Sequence, residues 1–398
     1  MTIDWLFWGH LLLRWFHVIA GIAWIGASFY FVWLDNNLRK AADGEPGVAG
    51  ELWAVHGGGF YRNRKYLVAP ERLPERLHWF KYEAYMTWLS GFLLLGLLYY
   101  HGATLYLIDP AKAALGPLEA SAIGLGALIG GWLLYDGLCR SPLGRHDALL
   151  GALWFLILIA MAYGLLQVFS GRGAFIHVGA IIGTAMVGNV FFVIIPNQKK
   201  TVAAMMAGSP PDPRLGQQAK QRSVHNNYMT LPVVFLMVSN HFPATYSGEG
   251  AFLILAGLSL ASLPVRHFFN LRHKDISRPG LVLMGAAILL ATIVFASWSE
   301  AERRQALGAG TGQSWADVGP ILARHCVVCH ATVPTHEAFD APPAGVVLES
   351  EADLVRFAAR VKAQAVDADI MPLGNETGMT MEERAKLGAY IAALGSRE

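Results

Sequence analysis

Eight apolar runs of membrane-spanning length constrain the fold of this chain more than any other feature. A helix needs about 20 apolar residues to cross the hydrocarbon core of a bilayer. The chain is 54% hydrophobic and only 15% charged, which is too apolar for an ordinary soluble protein. We therefore predict an all-α, polytopic helix bundle embedded in a lipid bilayer, with about eight transmembrane helices. The runs lie at roughly 5–34, 80–101, 119–138, 147–169, 174–195, 229–246, 250–265 and 280–298.

Lysine and arginine are unevenly distributed among the loops between these runs. With the N-terminus outside, the outer loops hold only Lys112 and Arg172, and the inner loops hold nearly all the other basic residues of the region up to residue 298. Cytoplasmic loops carry such an excess, so both termini are predicted to lie outside the cytoplasm. The net charge is +2, without a basic stripe interleaved with aromatic residues, which argues against a nucleic-acid partner.

The segment "CVVCH" at 326–330 lies in a less apolar C-terminal region. Two cysteines separated by two residues and followed by histidine form the attachment pattern of a c-type haem. Cys326 and Cys329 would form thioethers and His330 would be the proximal iron ligand. A zinc site would need a second pair of ligands, and the third cysteine, Cys139, lies far away at the end of an apolar run, where it is expected to be a small buried side chain.

This region is expected to form a small class I cytochrome c domain at 314–398, after a membrane domain at 1–298 and a linker at 299–313. Haem is attached to CxxCH outside the bacterial cytoplasm, in agreement with the charge bias. The expected location is thus the bacterial inner membrane, with a periplasmic C-terminal domain. The first helix is predicted at 315–325, and Thr380 with Glu383 predicts a capping box before a final helix at 381–394.

The distal haem ligand is expected downstream of "CVVCH". A thioether raises the potential of an electron-transfer haem and leaves no open position for oxygen. Met371 is the preferred candidate, because it lies in the loop "DADIMPLGNETG". Met379 and Met381 remain alternatives at the start of the final helix.

Two apolar segments resemble each other and suggest an internal repeat. "GIAWIGASFYFVWLDNN" from Gly21 and "GTAMVGNVFFVIIPNQ" from Gly183 share glycine and aromatic spacing. A true repeat would give a four-plus-four bundle with a site near its axis. Chance similarity between apolar helices is the alternative.

Histidines in the predicted outer halves of the spans are a second candidate haem site. Ionisable groups inside a membrane are costly and often functional. His17 and His177 are the preferred axial pair for a haem b in the membrane domain. The alternative is that each is a hydrogen-bonded core histidine.

Polar residues also cluster at the predicted inner ends of the helices. Lys81 and Glu83 enter the second run, and His225, Asn226 and Asn227 precede the sixth. Amide, imidazole and carboxylate groups suit a flat heterocycle with N–H and C=O edges. A solvated collar of helix ends is the alternative interpretation.

These segments resemble one known family. The runs "RWFHVIAGIAWIGASFYFVWLDNNLRK", "HNNYMTLPVVFLMVSNHFP", "CVVCH" and "MPLGNETGMTMEER" are similar to those of the integral membrane, cytochrome c-linked urate oxidases, over nearly the whole chain. The resemblance implies an oxidoreductase that converts urate to 5-hydroxyisourate. It also implies that electrons pass through the haem c to a downstream cytochrome c or terminal oxidase, without formation of hydrogen peroxide.

Given that activity, His225 or Glu83 would accept a proton, and Lys81 or Arg14 would bind the urate anion. Asn226 and Asn227 would orient the purine. A haem c accepts one electron at a time, so oxidation by two electrons is a reason to expect the haem b as a store. A quinol-oxidising respiratory cytochrome or an electron-relay protein remains the alternative.

Overall fold

The structure is a computed structural model of the chain and describes residues 5–45, 47–248, 250–308, 312–368 and 370–395. Ten helices precede the C-terminal domain. They are α1 (Trp5–Asn36), α2 (Tyr82–Leu95), α3 (Ala103–Tyr106), α4 (Pro117–Arg140), α5 (Asp147–Val168), α6 (Gly171–Gly188), α7 (Ile195–Met206), α8 (Pro213–Ser239), α9 (Ala251–Arg272) and α10 (Gly280–Gly308). A π-helical turn, Gly96–Tyr100, extends α2, and a second, Asn189–Ile194, joins α6 to α7.

Six helical segments of the described chain are long and apolar enough to cross a membrane: α1, α4, α5, α6 with α7, α9, and the part of α10 up to Ser299. The other two predicted spans differ from the expectation. Helix α2 is 14 residues long before its π turn, and α8 begins with the polar stretch "PRLGQQAKQRSVHNN" and ends at Ser239, well before residue 246.

The continuous segment α6–α7 is the centre of the bundle, because 67% of its most apolar window is buried, against 6–33% for the other five spans. It packs against α2, α4, α5 and α8. The approach of α4 is close: a Cβ at Gly131 would lie 2.5 Å from Cγ2 of Ile181. Small residues permit such contacts between membrane helices.

A β-hairpin interrupts the helical pattern and corrects the all-α prediction. Strands β1 (Val48–His56) and β2 (Gly59–Tyr66) pair antiparallel within what the sequence presents as a loop. Gly57 and Gly58 between them have φ values of +59° and +79°, the conformation that a tight hairpin turn requires. We call the side of the bundle that carries this hairpin the hairpin end.

The C-terminal domain contains α11 (Trp315–His325), α12 (Val327–His330), α13 (Glu351–Val361) and α14 (Met381–Gly395). The predicted bounds of α11 are confirmed, and the Thr380–Glu383 capping box forms as expected. The predicted linker at 299–313 differs, because α10 continues to Gly308. Residues 309–311 of that linker lie outside the described residues.

Candidate functional site

A cavity of about 780 Å³ lies at the hairpin end, between α1, α2, α8 and α9 and under β2. Its volume falls within the usual range for small-molecule sites. Aromatic side chains form part of its wall: Trp24, Phe31, Trp79 and Phe80. Flat rings of this kind offer stacking surfaces to a planar ligand.

The cavity wall carries more positive than negative charge. Four cations, Arg64, Lys65, Lys220 and Lys274, line it with two carboxylates, Asp35 and Glu83. Lys65 and Lys220 share one partner, since both form ion pairs with Asp35. Burial, and secondarily the charge of Lys220, lowers the pKa of Lys65 to about 8. Arg64 pairs with Asp43 and Glu45 outside the wall, so the surplus comes from the three lysines, and it favours an anionic ligand.

The structure divides the five predicted catalytic residues. Glu83 and Asn226 line the cavity, whereas Lys81, His225 and Asn227 do not. The Lys81 ammonium lies over the ring of Tyr82, 4.8 Å from its centroid. The predicted grouping of all five in one pocket is therefore wrong.

His225 points toward α4 and does not line the cavity. Its Nδ1 atom lies 2.8 Å from the Tyr135 hydroxyl, and its Nε2 atom lies 3.6 Å from Asp147. The Cys139 sulfur is 3.9 Å from Nδ1, so Cys139 is a partly buried neighbour of the imidazole. Consecutive residues of an α-helix point about 100° apart, because a turn contains 3.6 residues, and this separates His225 from Asn226.

Asn226 joins a closed network of buried polar groups around Arg222. The Arg222 guanidinium donates to Asp136 at 2.7 Å and to Asn189 Oδ1 at 2.9 Å. Asn189 donates through Nδ2 to Asn226 and to the Tyr135 hydroxyl. Asn189 opens the π-helical turn, an irregularity often found at functional sites. The Arg222 charge thus has a carboxylate partner.

Asn227 belongs to a second buried cluster, formed with Arg266 and Asn270 of α9. Its Oδ1 atom accepts hydrogen bonds from Arg266 Nε at 3.0 Å and from Asn270 Nδ2 at 2.9 Å. The Arg266 guanidinium lies over the ring of Phe29, 3.7 Å from its centroid. One atom of each of the three polar residues remains without a partner: Asn227 Nδ2, Arg266 Nη2 and Asn270 Oδ1.

Arg266 and Asn270 were missed by the sequence analysis, which ended the seventh span at residue 265 and assigned Arg266 to a loop. Helix α9 continues to Arg272 instead. The available signal was the spacing of Arg266 and Asn270, four residues apart within "VRHFFNLR", which places both on one helix face.

His177 does not fit the predicted role of a haem b ligand. Its Nδ1 atom donates to the Gly173 carbonyl at 2.7 Å, and the Tyr100 hydroxyl lies 3.3 Å from Nε2. The backbone of α4 covers the same nitrogen, since a Cβ at Gly124 would lie 2.5 Å from it. Both ring nitrogens are therefore engaged.

His17 is held against α2. Its Nδ1 atom lies 3.0 Å from both the Thr87 carbonyl and the Ser90 hydroxyl. A carbonyl can only accept, so Nδ1 carries the proton. Both histidines make the hydrogen bonds expected of core residues, but the Nδ1 bond leaves Nε2 of His17 available as a ligand, and the haem b remains a prediction.

The C-terminal domain has the donor set that a covalent haem c needs. Cys326 and Cys329 are free thiols, and His330 Nδ1 donates to the Val346 carbonyl at 2.9 Å. That bond fixes the tautomer and leaves Nε2 available as a ligand, the usual arrangement around a metal-bound histidine. The three residues fit the group, as the sequence predicts.

The three candidate distal methionines have different surroundings. Met371 packs against the core of the C-terminal domain, and its carbonyl accepts a hydrogen bond from Arg384. Met379 is 2% exposed within that core, and Met381 is 54% exposed at the start of α14. Met371 stays the predicted distal ligand.

The loop that follows Met371 packs on the membrane domain. A Cβ at Gly374 would lie 2.5 Å from the Thr104 carbonyl oxygen and 2.7 Å from that of Leu105. Asn375 approaches Asp109 at 3.4 Å. The predicted distal-ligand loop therefore contacts α3, away from the hairpin end.

Comparisons with known proteins identify one relationship. No curated protein and no solved structure matches the chain. A family model described as "Urate oxidase N-terminal" matches residues 3–297, which includes the predicted spans and the hairpin-end cavity. Because the match covers well over half of the 398 residues, the chain belongs to the urate oxidase N-terminal family.

Proposed function

We propose that this protein is a membrane-bound urate oxidase that passes electrons to a haem c in its own C-terminal domain. One observation carries the proposal: the region matched to the urate oxidase family is continuous with, and packed against, a domain that contains "CVVCH", with His330 Nδ1 bonded to the Val346 carbonyl. A downstream cytochrome c or terminal oxidase of the bacterial inner membrane would then receive the electrons, and hydrogen peroxide would not form.

The reaction balances without oxygen as an oxidant. Urate and one water give 5-hydroxyisourate, two protons and two electrons, with the water oxygen bonded to C5. A haem c bound at Cys326, Cys329 and His330 would supply one-electron acceptance at a potential raised by a thioether ligand such as Met371. The two electrons must therefore leave the membrane domain one at a time.

The cavity residues supply binding and proton transfer. Lys65 and Lys220 would attract the urate anion, and the aromatic wall would stack on the purine. Glu83 is the proposed proton acceptor, since it is one of two carboxylates on the wall and Lys65 and Lys220 pair with the other, Asp35. Asn226 lines the cavity, but its Oδ1 atom accepts from Asn189 and its Nδ2 atom donates to the Met186 carbonyl, so it is assigned a structural role. His225 is assigned no contact with substrate.

The proposed topology follows from the distribution of charge. The hairpin end carries most of the basic loop residues, so it would face the cytoplasm, and the C-terminal domain would face the periplasm. Urate would then enter from the cytoplasm, and electrons would leave on the other side.

The test is to add urate to oxidised membranes without oxygen and to follow the haem c absorption band. The proposal predicts that urate reduces the haem c of the wild type. This reduction should be lost in the doubly substituted Cys326→Ala, Cys329→Ala protein. Reduction by a quinol but not by urate would support the alternative respiratory cytochrome and overturn this function.

A second test addresses Glu83. Glu83→Gln should lower the rate of haem c reduction by urate while reduction by dithionite remains normal. Glu75→Gln, in the exposed segment before α2, is the matched control. Normal urate oxidation in Glu83→Gln would remove Glu83 from the mechanism.

A further inference from the structure

The cluster of Asn227, Arg266 and Asn270 lies at the junction of α1, α8 and α9, and nothing in the proposed function yet uses it. Its three residues are 0%, 7% and 9% exposed. Buried polar groups are nearly always hydrogen-bonded. Three adjacent residues with one unpartnered buried atom each are therefore an exception that needs a physical reason.

The orientation of both amides follows from the bonds they make. Asn227 Oδ1 accepts from two donors, so Nδ2 is its free donor; Asn270 Nδ2 donates to Asn227, so Oδ1 is its free acceptor. With Arg266 Nη2, the cluster offers two donors and one acceptor. An imide-like edge, with two carbonyl groups and one N–H, is the complement of that set.

The charge of Arg266 is the second independent observation. In the part of the chain that the structure describes, no carboxylate forms an ion pair with Arg266, and its guanidinium is covered by the Phe29 ring. A buried charge without a counter-ion is costly, and a cation–π contact compensates only in part. A bound anion would complete the neutralisation.

The cluster adjoins the hairpin-end cavity. Asn270 lines the cavity, and Asn36 of the same wall donates to the Asn270 carbonyl at 3.4 Å. Asn270 donates to Asn227 Oδ1, which also accepts from Arg266, and neither Asn227 nor Arg266 lines the cavity. A ligand edge that reaches Asn270 is thus separated from the guanidinium by one hydrogen-bonded residue, Asn227.

We propose that Asn227, Arg266 and Asn270 form the subsite that recognises the imide-like edge and negative charge of a purine anion. This inference rests on the proposed function and deepens it by assigning the contact that selects the substrate. The three residues bind and orient the ligand, and Glu83 remains the proposed proton acceptor.

Asn227→Asp is the decisive substitution, because it keeps the shape of the side chain and gives Arg266 an internal counter-ion. The carboxylate would replace the ligand's charge. A hydrogen bond to a charged group contributes about 1.5–3 kcal/mol, which corresponds to an affinity change of about 10- to 150-fold. Gln217→Glu changes the net charge equally on an exposed part of α8 and is the matched control.

The experiment measures urate and the neutral purine hypoxanthine by equilibrium dialysis against the purified full-length protein, together with the KM and kcat of urate oxidation. Asn227→Asp should weaken urate binding about 10- to 150-fold and raise KM more than it lowers kcat. Hypoxanthine binding should change far less, and Gln217→Glu should behave like the wild type. Arg266→Gln, which removes the charge, should show the same selective loss of urate and serves if Asn227→Asp fails to fold.

Two results would overturn the inference in distinguishable ways. Unchanged urate affinity in both Asn227→Asp and Arg266→Gln would mean that the cluster is structural, with its free atoms bonded to water, while the proposed function would stand. Absence of urate binding by the wild-type protein would overturn the proposed function, and this inference with it.

Discussion

Two buried arginines on neighbouring helices of the bundle differ in how their charge is satisfied. Arg222 is 5% exposed and has Asp136 as a counter-ion and Asn189 as a second acceptor. Arg266 is 7% exposed and bonds only to Asn227 among the described hydrogen bonds. The first cluster is complete within the protein, whereas the second has free donors and a free acceptor. Completeness favours a structural role, and incompleteness favours a ligand.

Helix α8 contributes to both clusters through adjacent residues. Asn226 bonds within the Arg222 network, and Asn227 bonds to Arg266. His225, one residue earlier, faces Tyr135. Three consecutive side chains thus serve three environments, because each is rotated about 100° from the next. Adjacency in a helix is therefore a poor guide to a shared site.

The largest expected effect is a difference in the free energy of unfolding between variants of the two arginines. Arg222→Met should cost about 3 kcal/mol in the free energy of unfolding, because it leaves the buried Asn189 Oδ1 unpaired and removes one partner of a partly buried carboxylate. Arg266→Met should change it by less than about 1 kcal/mol, since the lost contacts are offset by removal of an uncompensated charge. Thermal unfolding in detergent measures both.

Arg140→Gln is the control for that comparison. Arg140 also pairs with Asp136, but its side chain is 68% exposed, and exposed pairs contribute about 0–1 kcal/mol. If Arg266→Met were as destabilising as Arg222→Met, the contrast between a closed and an open cluster would be wrong.

Two glycines of the C-terminal domain also differ, in whether another part of the chain packs closely against them. Gly374 and Gly378 have φ values of +62° and +67°, but a Cβ would meet backbone atoms only at Gly374. Alanine strains both backbones alike, so the difference between the variants reports the contact with α3. Gly374→Ala should slow haem c reduction by urate roughly 10- to 100-fold, since misplacement by about 1 Å can have an effect of that order.

Stopped-flow absorbance on the two alanine variants measures this effect. Reduction by dithionite should stay fast in both, because it does not need the membrane domain. Equal rates of reduction by urate in Gly374→Ala and Gly378→Ala would show that the contact with Thr104 and Leu105 has no part in electron transfer.

The smallest expected effect is a dependence of urate affinity on pH, which distinguishes a lysine from the arginines near the cavity. Arginine stays charged at all working pH values, whereas the pKa of Lys65 is lowered to about 8 by burial and by Lys220. Below pH 8 Lys65 is charged, and above it the charge is lost. Urate affinity should therefore fall about two- to fivefold as pH rises through 8, the range of a partly exposed ion pair.

Lys65→Gln should remove that dependence, and Lys40→Gln, at an exposed position before β1, should retain it. A pH profile that is identical in wild type and Lys65→Gln would exclude Lys65 as the titrating cation.

Local patterns in the sequence predicted much of the fold, because the signals lie within short segments. Apolar runs located the helices that became α1, α4, α5, α6, α9 and α10, and Thr380 with Glu383 marked the start of α14. "CVVCH" is a local pattern of the same kind, and it located the residues proposed to bind a haem c. The hairpin was not predicted, although "HGGG" marks its turn, because the whole segment between the first two runs was assigned as an inner loop from its charge alone.

The polar clusters could not be predicted in the same way, because their partners are distant in sequence. Asn227 meets Arg266 and Asn270 across 39 and 43 residues, and Arg222 meets Asp136 across 86. Such contacts depend on how α4, α8 and α9 pack and rotate. The surroundings of His17 and His177 depend on packing in the same way, since each imidazole bonds to a backbone carbonyl of a helix.

The most direct test of the open cluster is the thermal unfolding of the wild type and Asn227→Asp, each with and without saturating urate. A ligand that binds only the folded state raises the unfolding temperature. The account predicts a large shift with urate in the wild type, and in Asn227→Asp a higher starting temperature with little further shift. An equal urate-induced shift in both proteins would contradict it.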